Sequence, residues 1–167
     1  VAGTPPSSRE ASGGGGLFDA YALLRESQVS GTDGGGATSG AWRTRVLNTE
    51  AADPDGIVSL AADQFTLQAG TYYIRGRAPA HQCNSHQCKI RNVTAGSDAI
   101  IGSSVNSPTT NGTISDSDVS GRVTIAGATV FELQHQVETT KATNGFGVNA
   151  GLGVAECYSE VEIWRES

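Results

Sequence analysis

The 167-residue sequence contains no methionine, not even at position 1, and only three cysteines. The opening Val1-Ala2-Gly3-Thr4 has no charged-then-apolar leader. The chain therefore reads as a processed or excised piece of something longer, and the missing leader says nothing about compartment. Three cysteines are too few for a disulfide scaffold and odd in number, so at least one stays unpaired within the chain. Basic residues are also scarce, 11 Lys and Arg against 17 Asp and Glu, for a net charge of -6. A nucleic-acid partner needs a positive footprint on the phosphates, and this balance argues against one. No apolar run approaches the roughly 18 residues that cross a bilayer, so no membrane insertion is expected. Glycines do not recur at every third position, which excludes a collagen stalk within these residues, and no internal repeat points to a propeller or solenoid.

What the sequence does contain is glycine, 22 residues of it, among abundant Ser, Thr, Val and Asn. That mixture suits short strands joined by turns and fits helices poorly. The length suits a single domain with its own hydrophobic core. Residues 1–16, with Pro5-Pro6-Ser7-Ser8 and Gly13 to Gly16, cannot bury enough apolar surface to offset their ordering entropy. They read as a flexible linker or tail, and residues 17–167 as the domain.

Alternation with a period of two marks the strands. Tyr72, Ile74 and Ala78 share one face against Arg75 and Arg77. Cys88 and Ile90 oppose Lys89 and Arg91, and Phe131, Leu133, His135 and Val137 oppose Glu132, Gln134 and Gln136. Cys157, Val161 and Ile163 oppose Glu160 and Glu162, which predicts a buried, inert Cys157. Trp42 to Leu47 and Phe65-x-Leu67 add two further strands, with a turn at Asp53-Pro54-Asp55-Gly56 between them. Leu17 to Gln28 is ambiguous: Leu17, Tyr21 and Leu24 fit a helical stripe, while Tyr21, Leu23 and Arg25 fit a strand. Together these strands predict an all-β fold, an antiparallel two-sheet sandwich or jelly roll.

Reactive residue types are densest between His81 and Cys88. His81, Cys83, His86 and Cys88 could hold a tetrahedral metal if Asn84-Ser85 were a two-residue hairpin turn. That register, however, sets Arg75 and Arg77 on the same face as Ile90, against the pattern of both strands. Polar turn residues are the preferred reading, so no metal and no other cofactor is expected. A Cys83–Cys88 disulfide depends on the loop bringing their Cα atoms together. His135, on an apolar face, reads as a core or subunit-interface histidine rather than a catalytic base. Asp53, Asp55, Asp98, Asp116 and Asp118 sit among Gly, Ser and Pro as turn formers. No nucleophile elbow, phosphate loop or zinc-protease motif occurs, and the expected protein is not an enzyme. Asn92-Val93-Thr94 and Asn111-Gly112-Thr113 match glycosylation sequons.

Several runs resemble a family of bacteriophage fibre and spike C-terminal domains. They are Gly40-Ala41-Trp42-Arg43-Thr44-Arg45-Val46-Leu47-Asn48, Phe65-x-Leu67-x-x-Gly70-Thr71-Tyr72, His86 leading to Asn92-Val93-Thr94, Phe131-x-Leu133-x-His135, Phe146-Gly147 and Tyr158-x-x-Val161-x-Ile163-Trp164. They cover roughly residues 21–165 in order, and the Trp-Arg-Thr-Arg run is the most specific. Such domains are similar to the jelly roll of tumour-necrosis-factor ligands and complement globular heads. The resemblance implies a homotrimer on a virion fibre or spike, joined to other virion proteins on its N-terminal side. It also implies binding to a host-surface receptor, with a glycan the leading candidate. A capsid or tail decoration protein and a secreted trimeric ligand are the alternatives.

In a jelly roll of this type both chain ends lie at one pole. The 81–86 hairpin and the long segments 103–120 and 139–153 would then emerge at the other. Asn84, Thr109 and Asn144 are the candidate receptor-binding residues in those distal segments, and Phe131, Leu133, His135, Tyr158 and Trp164 are available for core or threefold axis.

Overall fold

The computed structural model describes residues 16–167. The expected tail, apart from Gly16, lies outside the described residues. Eleven strands form, with no helix among the described residues: β1 (Phe18–Gln28), β2 (Arg43–Thr44), β3 (Thr49–Ala52), β4 (Val58–Ala61), β5 (Gln64–Leu67), β6 (Gly70–His81), β7 (Asn84–Asn92), β8 (Ser97–Ser107), β9 (Ile114–Ile125), β10 (Thr129–Val137) and β11 (Glu156–Glu166). One sheet runs β3-β1-β11-β6-β9 and the other β4-β5-β10-β7-β8, with β2 continuing the line of β5 along β10. All the pairings between strands are antiparallel.

The alternating faces meet between the sheets. Leu24, Ile74, Val161 and Ile163 from the first sheet pack on Phe65, Leu67, Ile90, Phe131 and Leu133 from the second, all fully buried. Phe65 and Phe131 stack at 5.7 Å. Each such side chain contributes about 1.5–3 kcal/mol of burial. β1 resolves the ambiguous segment: Ala20, Ala22, Leu24 and Glu26 point inward while Tyr21, Leu23 and Arg25 lie outside, so the strand periodicity wins over the helical stripe. On the side where β8 and β9 close the sandwich, the backbones come very close. A Cβ at Gly102 would sit 2.6 Å from the Cys88 carbonyl oxygen and 2.8 Å from that of Asp118.

Five expectations are corrected. The 81–88 stretch is no hairpin, because β6 belongs to the first sheet and β7 to the second. Gln82 and Asn84, both with positive φ (53° and 57°), turn the chain from one sheet to the other. The conflict between the Arg75/Arg77 and Ile90 faces vanishes, since the two strands never pair. Residues 103–120 are mostly strand rather than loop, with only 108–113 outside β8 and β9. Asp98 lies on β8, and Asp116 and Asp118 on β9, instead of in turns. Cys157 is exposed. The ladder between β1 and β11 shifts register from Arg25↔Glu160 to Ser27↔Cys157, and this bulge reverses the parity of β11, turning Tyr158 inward and Cys157 outward. Finally, only Arg43–Thr44 of the Trp42–Leu47 run forms a strand.

Register fixes the two poles. Phe18 pairs with Glu166 and Gly70 with Ile125 at one end, next to both chain termini. His81 pairs with Ile114, Gln28 with Glu156 and Asn84 with Ser107 at the other. The 108–113 loop and the segment after Val137 therefore emerge at the pole distal to the termini.

Candidate functional site

Beneath the distal pole the core becomes polar. Arg45 is almost wholly buried, with 1% of its surface exposed. Its guanidinium donates to the Pro79 carbonyl at 2.9 Å, the Phe146 carbonyl at 3.0 Å and the Glu26 carboxylate at 3.3 Å. It also lies 4.2 Å over the Phe146 ring. Glu26 is held in turn by the Ser159 hydroxyl at 3.2 Å. This arrangement explains the Trp-Arg-Thr-Arg run: Arg45 enters the core because its backbone N–H joins the Leu133 carbonyl at 2.8 Å, while Leu47 fills the apolar core beyond it.

The same arginine orders a pair of histidines. Guanidinium carries donors only, so His135 Nδ1, 3.1 Å from Arg45, must accept. His135 Nε2 then bears the hydrogen and donates to His86 Nδ1 at 3.0 Å. His86 Nε2–H donates to the Ser115 hydroxyl at 2.9 Å, which in turn donates to the Asn106 carbonyl at 3.2 Å. Both rings are therefore neutral and fixed as tautomers. Burial, reinforced by the Arg45 charge, lowers the His86 pKa to about 4 and pushes that of His135 well below the usual histidine range. The reading of His135 as a core residue holds: it is fully buried.

The four candidate metal ligands do not converge. His86 faces His135; His81 Nδ1 lies 3.2 Å from the Asn144 amide oxygen. Cys83 donates to the His81 carbonyl and Cys88 to that of Ser117. Burial raises both thiols, that of Cys88 to about 11, which keeps them protonated and poor as ligands or nucleophiles. Among the described residues no three His, Cys, Asp or Glu side chains form a metal-binding group. Cys83 and Cys88 are both free thiols: β7 runs extended from Asn84, and its four steps to Cys88 alone span about 13 Å, which keeps Cys83 beyond bridging distance.

Asn84, Thr109 and Asn144 all lie toward the distal pole, yet they are not equivalent. Asn84 donates to the Thr139 hydroxyl at 3.0 Å and Asn144 meets His81, so both hold loops in place. Thr109 is exposed.

Periodicity missed two surfaces. On the outer side of the first sheet, Phe18, Tyr21 and Tyr73 surround Trp164 with ring centroids 5.3–6.4 Å apart. Exposed Leu17 adjoins them. Rows of charge follow toward the distal pole: Arg25 and Arg77 on Glu160, Arg75 on Glu162, and Arg77 on Asp116. Of the five residues available for core or axis, Phe131, Leu133, His135 and Tyr158 are buried. Trp164 alone lies on this outer face. The second surface is a groove beside Trp42 on the opposite sheet.

The sheet order, the antiparallel ladders and the crossing of the chain between sheets at Gln82–Asn84 define a jelly roll of the tumour-necrosis-factor type. Solved structures share it. Murine APRIL aligns with a TM-score of 0.58 at 7% identity, over 87% of this chain and 98% of that one. PRD1 vertex protein P5 aligns with a TM-score of 0.60 at 10% identity, over 91% and 100%. Identities this low speak to the fold. No protein-family model and no curated protein matches the sequence.

Proposed function

We propose that the chain is a homotrimeric virion module, attached by its terminal pole and presenting its distal pole to a host-surface glycan without chemically altering it. The observation that carries this reading is the aromatic face around Trp164. An apolar cluster on the open side of a sheet, next to both chain ends, is what a subunit contact requires. Its neighbouring rows of Arg and Glu can pair across a threefold interface, where one surface meets a different one and the ring closes. The likeness to a vertex protein supports placing the trimer on a virion. The absence of catalysis is supported by the chemistry of the distal core, where the histidines are neutral and engaged and the thiols protonated.

The distal loops are rich in Ser, Thr, Asn and Gly, adaptable hydrogen-bonding groups held on a rigid scaffold. Thr109 is the cleanest probe of them, since Asn84 and Asn144 have structural partners. Thr109→Trp is expected to weaken binding on an array of neutral, sialylated and bacterial-envelope glycans several-fold, with melting and assembly unchanged. Retained glycans should leave the protein at their original size. Equal binding by the variant, or shortened glycans, would count against the reading.

A further inference from the structure

The outer face of the second sheet carries a cavity of about 580 Å³, within the range of small-molecule sites. Strand register builds its floor. Gln136 pairs with Gln87 and Gln87 with Ser104, giving one outward row across three strands. One step distally, Glu138 joins Ser85 through its backbone, and Ser85 pairs with Asn106, giving a second row. The intervening row, with Val137 and His86, points into the protein. A period of two thus places amides, hydroxyls and a carboxylate side by side on one surface.

Trp42 walls this floor. Its position is fixed: Lys89 lies 4.1 Å from the indole centroid, and the same ammonium pairs with Asp98 at 2.7 Å. That stacking also explains why Lys89, on the polar side of its strand, is only 5% exposed. The polar groups are likewise held. Gln87 donates to the Gly102 carbonyl at 2.7 Å, and Glu138 accepts from the Ser85 N–H at 3.0 Å. That bond lowers the Glu138 pKa, so its carboxylate is ionised at neutral pH. Among the described residues the groove lining holds no Lys or Arg, and Lys89, behind the indole, is committed to Asp98 and the ring.

An aromatic wall beside planar amides and a carboxylate matches a pyranose. Its C–H face packs on the ring, and its hydroxyls share bonds with bidentate side-chain groups. A fixed negative charge in a lining that, among the described residues, carries no cation disfavours an anionic sugar. We infer that this groove is the seat of a neutral sugar unit, a hexose or N-acetylhexosamine, with Trp42 as platform and Glu138, Gln136 and Asn106 as hydroxyl readers. The inference deepens the glycan-binding reading above and rests on it, placing the principal contact on the flank of the distal half.

Fluorine NMR of protein labelled with 5-fluorotryptophan tests it, because the chain has only two tryptophans, Trp42 and Trp164. The probes are the methyl glycosides of glucose, galactose, mannose, N-acetylglucosamine and N-acetylgalactosamine, with 3′-sialyllactose as the anionic comparison. At least one neutral glycoside should shift the Trp42 resonance and leave Trp164 in place. Sialyllactose should bind at least tenfold more weakly than that glycoside. Glu138→Gln and the surface changes Gln136→Ala and Asn106→Ala should each weaken binding about tenfold with unchanged melting, whereas Thr109→Trp, in a loop that meets only the further units of a longer array glycan, should leave the affinity for a single-unit glycoside unaltered. Glycoside binding that persists in all three groove variants, or shifts only Trp164, would overturn the groove while leaving glycan binding intact. No binding of any probe by calorimetry, together with a blank glycan array, would overturn both.

Discussion

Replacing Arg45 with alanine is expected to destabilise the domain by about 3–5 kcal/mol, the cost of leaving one partner of a buried ion pair uncompensated. The geometry makes this position unusually exacting. One guanidinium serves two backbone carbonyls, the Glu26 carboxylate and His135, and its removal takes a partner from all four inside the core and leaves the Glu26 charge unpaired. For a domain of this size the loss corresponds to a fall in melting temperature of about 6–20 °C, readable by circular dichroism. A double substitution, Arg45→Met with Glu26→Leu, should recover a substantial part of the loss, because it removes the buried charges along with the pair. A single Arg45→Ala change within 1 kcal/mol of wild type would mean that the polar core is hydrated rather than self-satisfied.

The second large effect is acid lability. Folding depresses the His86 pKa to about 4, whereas the unfolded chain titrates near 6.5, so the unfolded state binds the additional proton between these values. The stability associated with neutral His86 is fully present above pH 6.5 and is lost as pH falls through 4, a change of about 3 kcal/mol. His135, whose pKa burial also lowers well below the usual histidine range, adds to the loss in the same direction. Native carboxylates held low by hydrogen bonds, Glu156 and Glu138 among them, begin to contribute only below about pH 5, where the unfolded carboxylates take up protons. Urea unfolding at intervals from pH 7.5 to 4 should therefore show a decline beginning near 6.5, and His86→Asn should make it shallower, leaving the His135 share in place. A wild-type curve that is level down to pH 4.5 would contradict the neutral-histidine chain from Arg45 to Asn106.

Where one face of a strand is apolar and the other charged, the sequence is sufficient. β6, β10 and most of β11 are legible from alternation alone, and so is the burial of His135. β8 and β9 are not, because they close the sandwich where the backbones touch. There the inward positions carry Ser107, Ser117 and Gly102 rather than large apolar groups, so the strands look like polar loop. The inverted Cys157 shows a second limit, since one bulge flips the parity of everything beyond it. The hairpin read at 81–88 failed for a third reason. Turn chemistry at Asn84 is real, as its positive φ shows, but it carries the chain between sheets instead of back along one. The polar core and the groove were marked by the run from Trp42 to Leu47, where Arg45 looks like any surface cation until its partners from β1, β6 and β10 are known.

The central claim, a subunit contact through the aromatic face, is tested most directly by sedimentation velocity at low micromolar concentration, on the wild type and on Trp164→Lys. The wild type should sediment at three times the 17.2 kDa chain mass. Trp164→Lys, which places an uncompensated charge among Phe18, Tyr21 and Tyr73, should sediment as a folded single chain. A wild-type monomer, or a trimer indifferent to the lysine, would contradict the account.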